Sequence, residues 1–166
     1  MLLLGACGTR SNALDAPAST TTTTQPAAST TTAVGETPPL ALGQPGKTRD
    51  GNTIRVLSWV QPVASSGPLE PDLNQVYAAA EIEICAGRRG APRVSPEVFA
   101  VQLEDGSSRG RTYFGPQQPE LGDAKLVADQ CVQGWVNFEV PSGHRPSYVV
   151  FKGSSHLRWL AGGRTR

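Results

Sequence analysis

The sequence has little of three features, each of which would have narrowed the range of possible functions. None of its apolar runs approaches the roughly 20 residues that a membrane-spanning helix needs. The formal net charge of the 166 residues is only +1, so the sequence lacks the excess of basic residues that is typical of nucleic-acid-binding proteins. Histidine occurs only at His144 and His156. The composition therefore predicts neither a membrane span nor a nucleic-acid-binding surface.

Sequence motifs that are typical of catalytic or metal-binding sites are also scarce. His144 and His156 each follow a short run of Ser and Gly, which is typical of solvent-exposed turns. No serine occupies a strained nucleophile-elbow motif. Neither histidine has a carboxylate at helical or hairpin spacing that would complete a metal site. We therefore predict no catalytic residues, no metal and no cofactor, and expect that the protein is not an enzyme.

The first seven residues carry the clearest motif. Leu4-Gly5-Ala6-Cys7, behind an apolar start, resembles the lipobox of bacterial lipoproteins. In that family the signal peptidase cleaves between small residues and a cysteine that already carries a diacylglyceryl thioether. The resemblance implies a signal segment at 1–6, lipid on Cys7, and a mature chain on the extracytoplasmic face of the cell membrane. Six residues are fewer than an export signal needs, so we expect a natural start further upstream; the alternative is a chance match.

A segment of low complexity follows Cys7. Residues 11–45 are almost entirely Thr, Ala, Ser, Pro, Gly and Gln, and cannot bury enough apolar surface to offset their ordering entropy. We therefore predict a disordered linker over 7–45 and one compact domain over 46–166. Thr-rich stretches with interspersed prolines are typical of extracellular stalks, which are often O-glycosylated. A flexible linker of this length typically reaches about 35 Å, which would hold the domain off the membrane.

The remaining cysteines form a pair if Cys7 is lipidated. An extracytoplasmic compartment permits a disulfide between Cys85 and Cys131. The alternatives are two free thiols or a metal site, and neither cysteine has a CxxC or CxxH neighbour. Cys85 ends one predicted strand and Cys131 begins another. We therefore expect the bond near an outer face or a sheet end, not across the core.

From residue 46 onward the sequence alternates apolar and polar residues, and no helical period of useful length occurs. The residues from Val76 to Ile84 give the strongest alternation, with Glu81 and Glu83 on the polar face, and we expect them to form the central strand. The pattern predicts an all-β, immunoglobulin-like antiparallel β-sandwich, with a small closed barrel as the alternative. The predicted strands cover residues 53–60, 76–84, 99–103, 111–114, 125–127, 132–140, 148–151 and 157–160.

Four blocks in this region also resemble a known family. The runs VYAAAEIEICAG, FAVQLEDG, CVQGWVNFEVP and YVVFK, in this order, are similar to the bacterial domain of unknown function 4352. The resemblance covers about residues 42–161. It implies an Ig-like domain of Gram-positive cell-surface lipoproteins, similar in fold to a secreted mycobacterial immunoprotective antigen. The family brings no agreed activity and no catalytic residues.

Two features are candidates for a partner surface. In the strand predicted at 132–140, Trp135 falls on the alternate positions that carry polar residues, so its indole should point away from the core. It could form a binding contact, or it could cover the disulfide or pack under the strand at 157–160. Arg88 and Arg89, with Arg93, are the densest basic cluster and could meet an anionic envelope polymer. The alternative for these arginines is a solvated loop.

Together these features predict a non-enzymatic, lipid-anchored, extracytoplasmic Ig-like module that binds an envelope or extracellular partner of unknown identity. Two alternatives remain open at this point. One is an accessory or chaperone-like component of an exported system, and the other is a small extracytoplasmic hydrolase.

Overall fold

The alternating residues form β-strands. The computed structural model describes residues 37–65, 70–88 and 92–162, which all belong to one unit spanning Gly35–Arg166. Cys7, Arg89 and the residues before Thr37 lie outside the described part of the chain. A 3-10 turn at Pro96–Val98 accompanies the strands, and no helix within the described ranges is long and apolar enough to cross a membrane. The strands are β1 Gly46–Lys47, β2 Thr53–Val60, β3 Gln75–Cys85, β4 Arg93–Val94, β5 Phe99–Leu103, β6 Ser108–Gly110, β7 Ala124–Lys125, β8 Cys131–Pro141, β9 Pro146–Phe151 and β10 Leu157–Leu160.

Two four-stranded sheets form a sandwich. The first sheet has the order β1-β2-β3-β8, and the second has the order β10-β9-β5-β6. Every neighbouring pair within them is antiparallel, and β4 and β7 form a separate antiparallel pair. The predicted antiparallel β-sandwich is confirmed. As predicted, β3 is an interior strand, between β2 and β8.

The core lies between the two sheets and follows the predicted parity. On β3, Ala78, Ala80 and Ile82 are fully buried, and Ala78 lies opposite Phe138 of β8. The small alanine side chains leave room for larger groups from the other strands. Trp159 of β10 is the largest fully buried side chain, and its indole nitrogen donates to the Gln44 carbonyl at 2.9 Å. Burial of these apolar groups is the main driving force for folding.

The predicted return strand at 111–114 was wrong. The turn at Asp105 and Gly106 is tight, and Leu103 donates from its backbone nitrogen to the Ser107 carbonyl at 2.8 Å. Pairing therefore resumes directly at β6, which precedes the predicted strand. The residues after β6 leave the second sheet, and the backbone nitrogen of Thr112 donates to the Asn137 carbonyl of β8 in the first sheet. β7 begins one residue before the predicted edge strand at 125–127 and ends at Lys125, so residues 126 and 127 of that prediction are not in a strand.

The segment 40–47, here called the crossing segment, connects the two sheets at one edge. Leu40 accepts a backbone hydrogen bond from Leu160 and donates one to Arg158, both at 2.8 Å. Further along, the backbone nitrogen of Gly43 donates to the Val56 carbonyl at 2.7 Å, and β1 then pairs with β2. Leu40 packs against the core. The folded part of the chain thus begins before the predicted boundary at residue 46.

Candidate functional site

The disulfide closes one end of the first sheet. Cys85 ends β3, Cys131 begins β8, and the two residues lie directly opposite each other in the strand register. The predicted pairing of these two cysteines is therefore confirmed. So is the expectation that the bond lies at a sheet end, because it joins two strands of one sheet and does not cross the core.

Residues 112–121, here called the strap, run along the outer edge of β8. The backbone nitrogen of Trp135 donates to the Pro119 carbonyl at 2.9 Å, and the backbone nitrogen of Leu121 donates to the Trp135 carbonyl at 2.8 Å. The strap thus satisfies backbone groups that an uncovered edge strand would offer to other chains. Gly134 of β8 fits against it, because a Cβ atom there would lie 2.7 Å from the Leu121 backbone.

Asn137 anchors the strap. Its side chain is almost fully buried, with 2% exposed. Its amide nitrogen donates to the Gln117 carbonyl at 3.1 Å and to a Glu120 carboxylate oxygen at 3.3 Å, while its oxygen accepts from the Gln117 backbone nitrogen at 3.2 Å. Gly115 passes so close that a Cβ atom would lie 2.1 Å from the Asn137 side chain. The buried amide therefore adds to the backbone hydrogen bonds that hold a stretch of chain without regular structure.

Trp135 lies on the outer face of the first sheet, as its parity predicted. It is half-buried and packs against Val63, Tyr77 and Ala79, here called the outer cluster. These neighbours replace the two packing partners suggested by sequence, the disulfide and the last strand. The sequence did not reveal Val63 as a partner, because it belongs to a Pro- and Ser-rich stretch without periodicity. Part of the indole still faces solvent.

The arginines singled out by sequence have different environments. Arg88 is exposed, next to Gly87. Arg93 is exposed on β4 and shares a cleft with Asp123. A further arginine, Arg111 after β6, forms an ion pair with Glu97, with 2.6 Å between its Nε atom and a carboxylate oxygen. Arg88 and Arg93 thus lie in loop or short-strand segments, whereas Trp135 lies on the face of the first sheet, and Arg89 lies outside the described residues.

The two histidines occupy exposed turns, as predicted. The His144 Nδ1 atom lies 3.6 Å from a carboxylate oxygen of Asp105. Hydrogen bonds from Ser107 hold the pKa of Asp105 below its usual value, and the nearby His144 contributes less. Within residues 37–65, 70–88 and 92–162, no three His, Cys, Asp or Glu residues cluster as metal ligands.

A cleft of about 460 Å³, here called the end cleft, opens between the sheets near the disulfide. Its floor is apolar, and its rim is polar and charged. The floor includes Ile54, Ile84, Val94, Val98 and Phe151, and the rim includes Asp50, Asn52, Arg93, Ser95 and Ser154. A cleft with an apolar floor and a few polar groups at its rim is the usual form of a ligand site.

Hydrogen bonds between side chains and backbone nitrogens hold the rim of the end cleft. Asn52 is buried, and its side-chain oxygen accepts from the Gly87 backbone nitrogen at 2.9 Å. The backbone nitrogen of Asn52 donates to the Thr48 hydroxyl at 3.1 Å. Gly87 lies against the neighbouring turn, since a Cβ atom there would be 2.4 Å from the Gly51 carbonyl oxygen. The sequence carried no signal for this cleft.

Comparison with known proteins identifies relatives in fold. No protein-family profile and no curated protein sequence matches the chain, so the resemblance to domain of unknown function 4352 stays a prediction. The secreted protein MPT63 from Mycobacterium tuberculosis superposes with a TM-score of 0.56 at 18% identity, over 75% of this chain and 99% of that one. The expected likeness in fold to a secreted mycobacterial protein is thus confirmed.

A second solved structure has the same fold. It is the Bacillus subtilis protein YcdA, named as a candidate lipoprotein, with a TM-score of 0.54 and 13% identity. The match covers 71% of this chain but only 39% of YcdA. At these identities, both comparisons establish the β-sandwich alone.

Proposed function

We propose that this protein is a non-enzymatic module, held by lipid on Cys7 at the extracytoplasmic face of the cell membrane, whose β-sandwich binds an envelope or extracellular partner. The observation that carries the proposal is the disulfide between Cys85 and Cys131. Disulfides persist in oxidising compartments and are rare in the reducing cytosol. The third cysteine, Cys7, is the residue that the lipobox resemblance assigns to lipid.

The fold relatives support the same location. MPT63 is described as secreted, and YcdA is named as a candidate lipoprotein. The crossing segment also shows where a tether at the N-terminal side would act on the folded domain. Leu40 is hydrogen-bonded to β10 within three residues of Thr37, where the described chain begins. A pull on the preceding residues would therefore act on an edge strand of the sandwich.

The end cleft supports the binding part of the proposal. It combines an apolar floor with Asp50 and Arg93 at its rim, and the contacts of Asn52 hold it open. Trp135 and Arg88 remain further candidate contacts, because both are at least partly exposed. The two surfaces differ in character, since Trp135 packs in an apolar cluster and Arg88 lies in a loop.

Membrane fractionation tests the anchor. We expect Cys7→Ser to move the protein from the membrane pellet to the soluble fraction, because two acyl chains at ~0.8 kcal/mol per buried CH₂ would be lost. The matched control is the double variant Cys85→Ser/Cys131→Ser, which removes two cysteines and keeps Cys7. It should stay in the pellet. Retention of the Cys7→Ser variant in the pellet would contradict the lipid anchor.

Cross-linking on intact cells tests the end cleft. Ser154→Trp places a large ring at its rim, and Ser142→Trp makes the same change at an exposed turn that lines a different cleft. We expect recovery of a cross-linked partner to fall for Ser154→Trp only. Equal recovery from both variants would show that the partner binds elsewhere.

A further inference from the structure

A cleft of about 640 Å³, here called the Trp59 cleft, opens at the end of the sandwich opposite the end cleft. Trp59 near the end of β2 and Val76 near the start of β3 line it. The end cleft is instead lined by Ile54 and Ile84, which lie at the other ends of the same two strands. The two clefts are therefore separate sites, and the turn that contains Ser142 belongs to the Trp59 cleft.

Hydrogen bonds from both sheets hold the turn at 142–145, which forms one wall of the Trp59 cleft. The side-chain nitrogen of Gln61, which follows β2, donates to the His144 carbonyl at 2.8 Å. The backbone nitrogen of Glu104, which follows β5, donates to the Arg145 carbonyl at 3.0 Å. Because these contacts form the wall before any ligand arrives, binding need not include the cost of ordering it.

Trp59 supplies an apolar wall of the cleft. Its indole is half-buried and packs against the core, and its ring centre lies 5.8 Å from that of Phe138. Pro62 and Pro146 also line the cleft and add apolar surface. An aromatic ring that is held by its neighbours and still partly exposed offers a flat surface on which an apolar face of a ligand can stack.

The polar groups of the cleft include both donors and acceptors. Glu104 and Arg145 are exposed, and the carboxylate only accepts hydrogen bonds whereas the guanidinium only donates them. The Ser142 hydroxyl can do both. The side-chain oxygen of Gln61 is buried and, among the residues that the structure describes, has no hydrogen-bond partner. This acceptor favours a ligand that brings its own donors.

The combination of a flat apolar wall with donors and acceptors selects the ligand. A pyranose ring has C–H groups on its faces and hydroxyls around its edge, and each hydroxyl both donates and accepts. A phosphate group would not use the Glu104 carboxylate, and an acyl chain would use none of the polar groups. The volume of about 640 Å³ lies within the usual range of small-molecule sites.

We propose that the Trp59 cleft binds a pyranose ring of a saccharide chain, with the ring stacked on Trp59 and its hydroxyls bonded to Glu104 and Arg145. The inference goes beyond the proposed function, because it concerns a second site at the opposite end of the sandwich. It rests on neither the lipid anchor nor the end cleft.

The test applies the full chain carrying Cys7→Ser to an array of oligosaccharides built from hexoses or from N-acetylated hexosamines, which separates these two kinds of chain. Calorimetry then measures the Kd of the best ligand. Trp59→Ala should weaken binding roughly tenfold, because the stacking contact is lost. Glu104→Ala/Arg145→Ala should also weaken it roughly tenfold, given the usual contribution of two hydrogen bonds.

The matched control, Asp123→Ala/Lys125→Ala, removes one acidic and one basic side chain from a different cleft. It should change the Kd by less than about twofold, as is usual for exposed side chains away from a site. Ser142→Trp fills the Trp59 cleft and should abolish saccharide binding. The same variant is expected to retain the cross-linked partner of the end cleft, so the two proposals can fail separately.

Three results would overturn the proposal. They are no binding to any oligosaccharide on the array, equal losses in Glu104→Ala/Arg145→Ala and its control, and binding to a proline-rich peptide alone. The last result would mark the cleft as a protein-binding site. Glu104→Ala/Arg145→Ala changes only exposed side chains, so it serves if Trp59→Ala unfolds.

Discussion

Two apolar clusters lie on opposite faces of β3, and they are built differently. The inner cluster fills the space between the sheets and includes Ala78, Ala80 and Trp159. The outer cluster is small, and Trp135 packs only partly into it. Strands alone supply most of the inner cluster. The outer cluster needs Val63 from the segment after β2, whose backbone nitrogen donates to the Tyr77 carbonyl at 2.8 Å.

The difference shows what parity can and cannot decide. Parity assigns a side chain to a face of its sheet, because successive residues point to opposite sides. It does not say whether another segment covers that face. Here an irregular segment folds back onto part of the outer face, whereas Glu81 and Glu83 at the other part of β3 keep polar partners.

The largest expected effect is in the inner cluster. Trp159→Ala should reduce the free energy of unfolding by about 3–5 kcal/mol, because a fully buried indole and its hydrogen bond to Gln44 are lost. Urea unfolding measures the change. The control is Leu160→Ala at the next position, where 42% of the side chain is exposed. A loss below about 1 kcal/mol for Trp159→Ala would contradict the assigned core.

The disulfide joins β3 and β8, the two strands that carry both clusters. It closes a loop with a sequence separation of 46 residues. Cys85→Ser/Cys131→Ser should therefore reduce the free energy of unfolding by up to about 4 kcal/mol by the chain-entropy account. Urea unfolding under non-reducing conditions measures this loss. Two titratable thiols in the native protein would refute the bond itself.

Asn137 adds three side-chain hydrogen bonds to the backbone bonds that hold the strap on β8. Asn137→Ala removes the hydrogen bonds to Gln117 and Glu120 and leaves the Gln117 backbone without its partner. We expect a loss of about 1–3 kcal/mol, together with faster amide hydrogen exchange at Leu121 than at the β3 residues. Exchange that accelerates equally throughout the domain would indicate global destabilisation instead of release of the strap.

The smallest expected effect is in the outer cluster. Trp135→Ala should reduce the free energy of unfolding by about 1–2 kcal/mol, less than Trp159→Ala, because the indole is only half-buried. Trp135→Phe, which keeps an aromatic ring, is the control. If stability is unchanged while partner recovery from cells falls, Trp135 contacts the partner and the outer cluster is not a structural unit.

Much of the sandwich could be predicted from alternation. The residues from Val76 to Ile84 gave the interior strand within one residue of each end, because one face is buried along its length. The position of Cys85 and Cys131 at strand ends predicted where the disulfide lies. The strap could not be predicted, since residues 112–121 have no period and are held by backbone hydrogen bonds to β8 and by the side chain of Asn137.

The candidate sites were harder to predict than the strands. Sequence clustering pointed to Arg88 and Arg89, which are neighbours in the chain. A cleft at the edge where β1 and β10 meet instead joins Lys47 and Arg49 to residues of β10, and only the antiparallel return of the second sheet brings them together. The end cleft likewise combines turns and strand ends from both sheets. Sites of this kind depend on tertiary contacts that periodicity does not encode.

The most direct test of the whole account is the mass of the N-terminal peptide of the protein extracted from membranes. The account predicts a mature chain that begins at Cys7 and carries a diacylglyceryl group on its sulfur. An unmodified peptide that runs through Ala6 and Cys7 would contradict the lipid anchor and, with it, the proposed location of the domain.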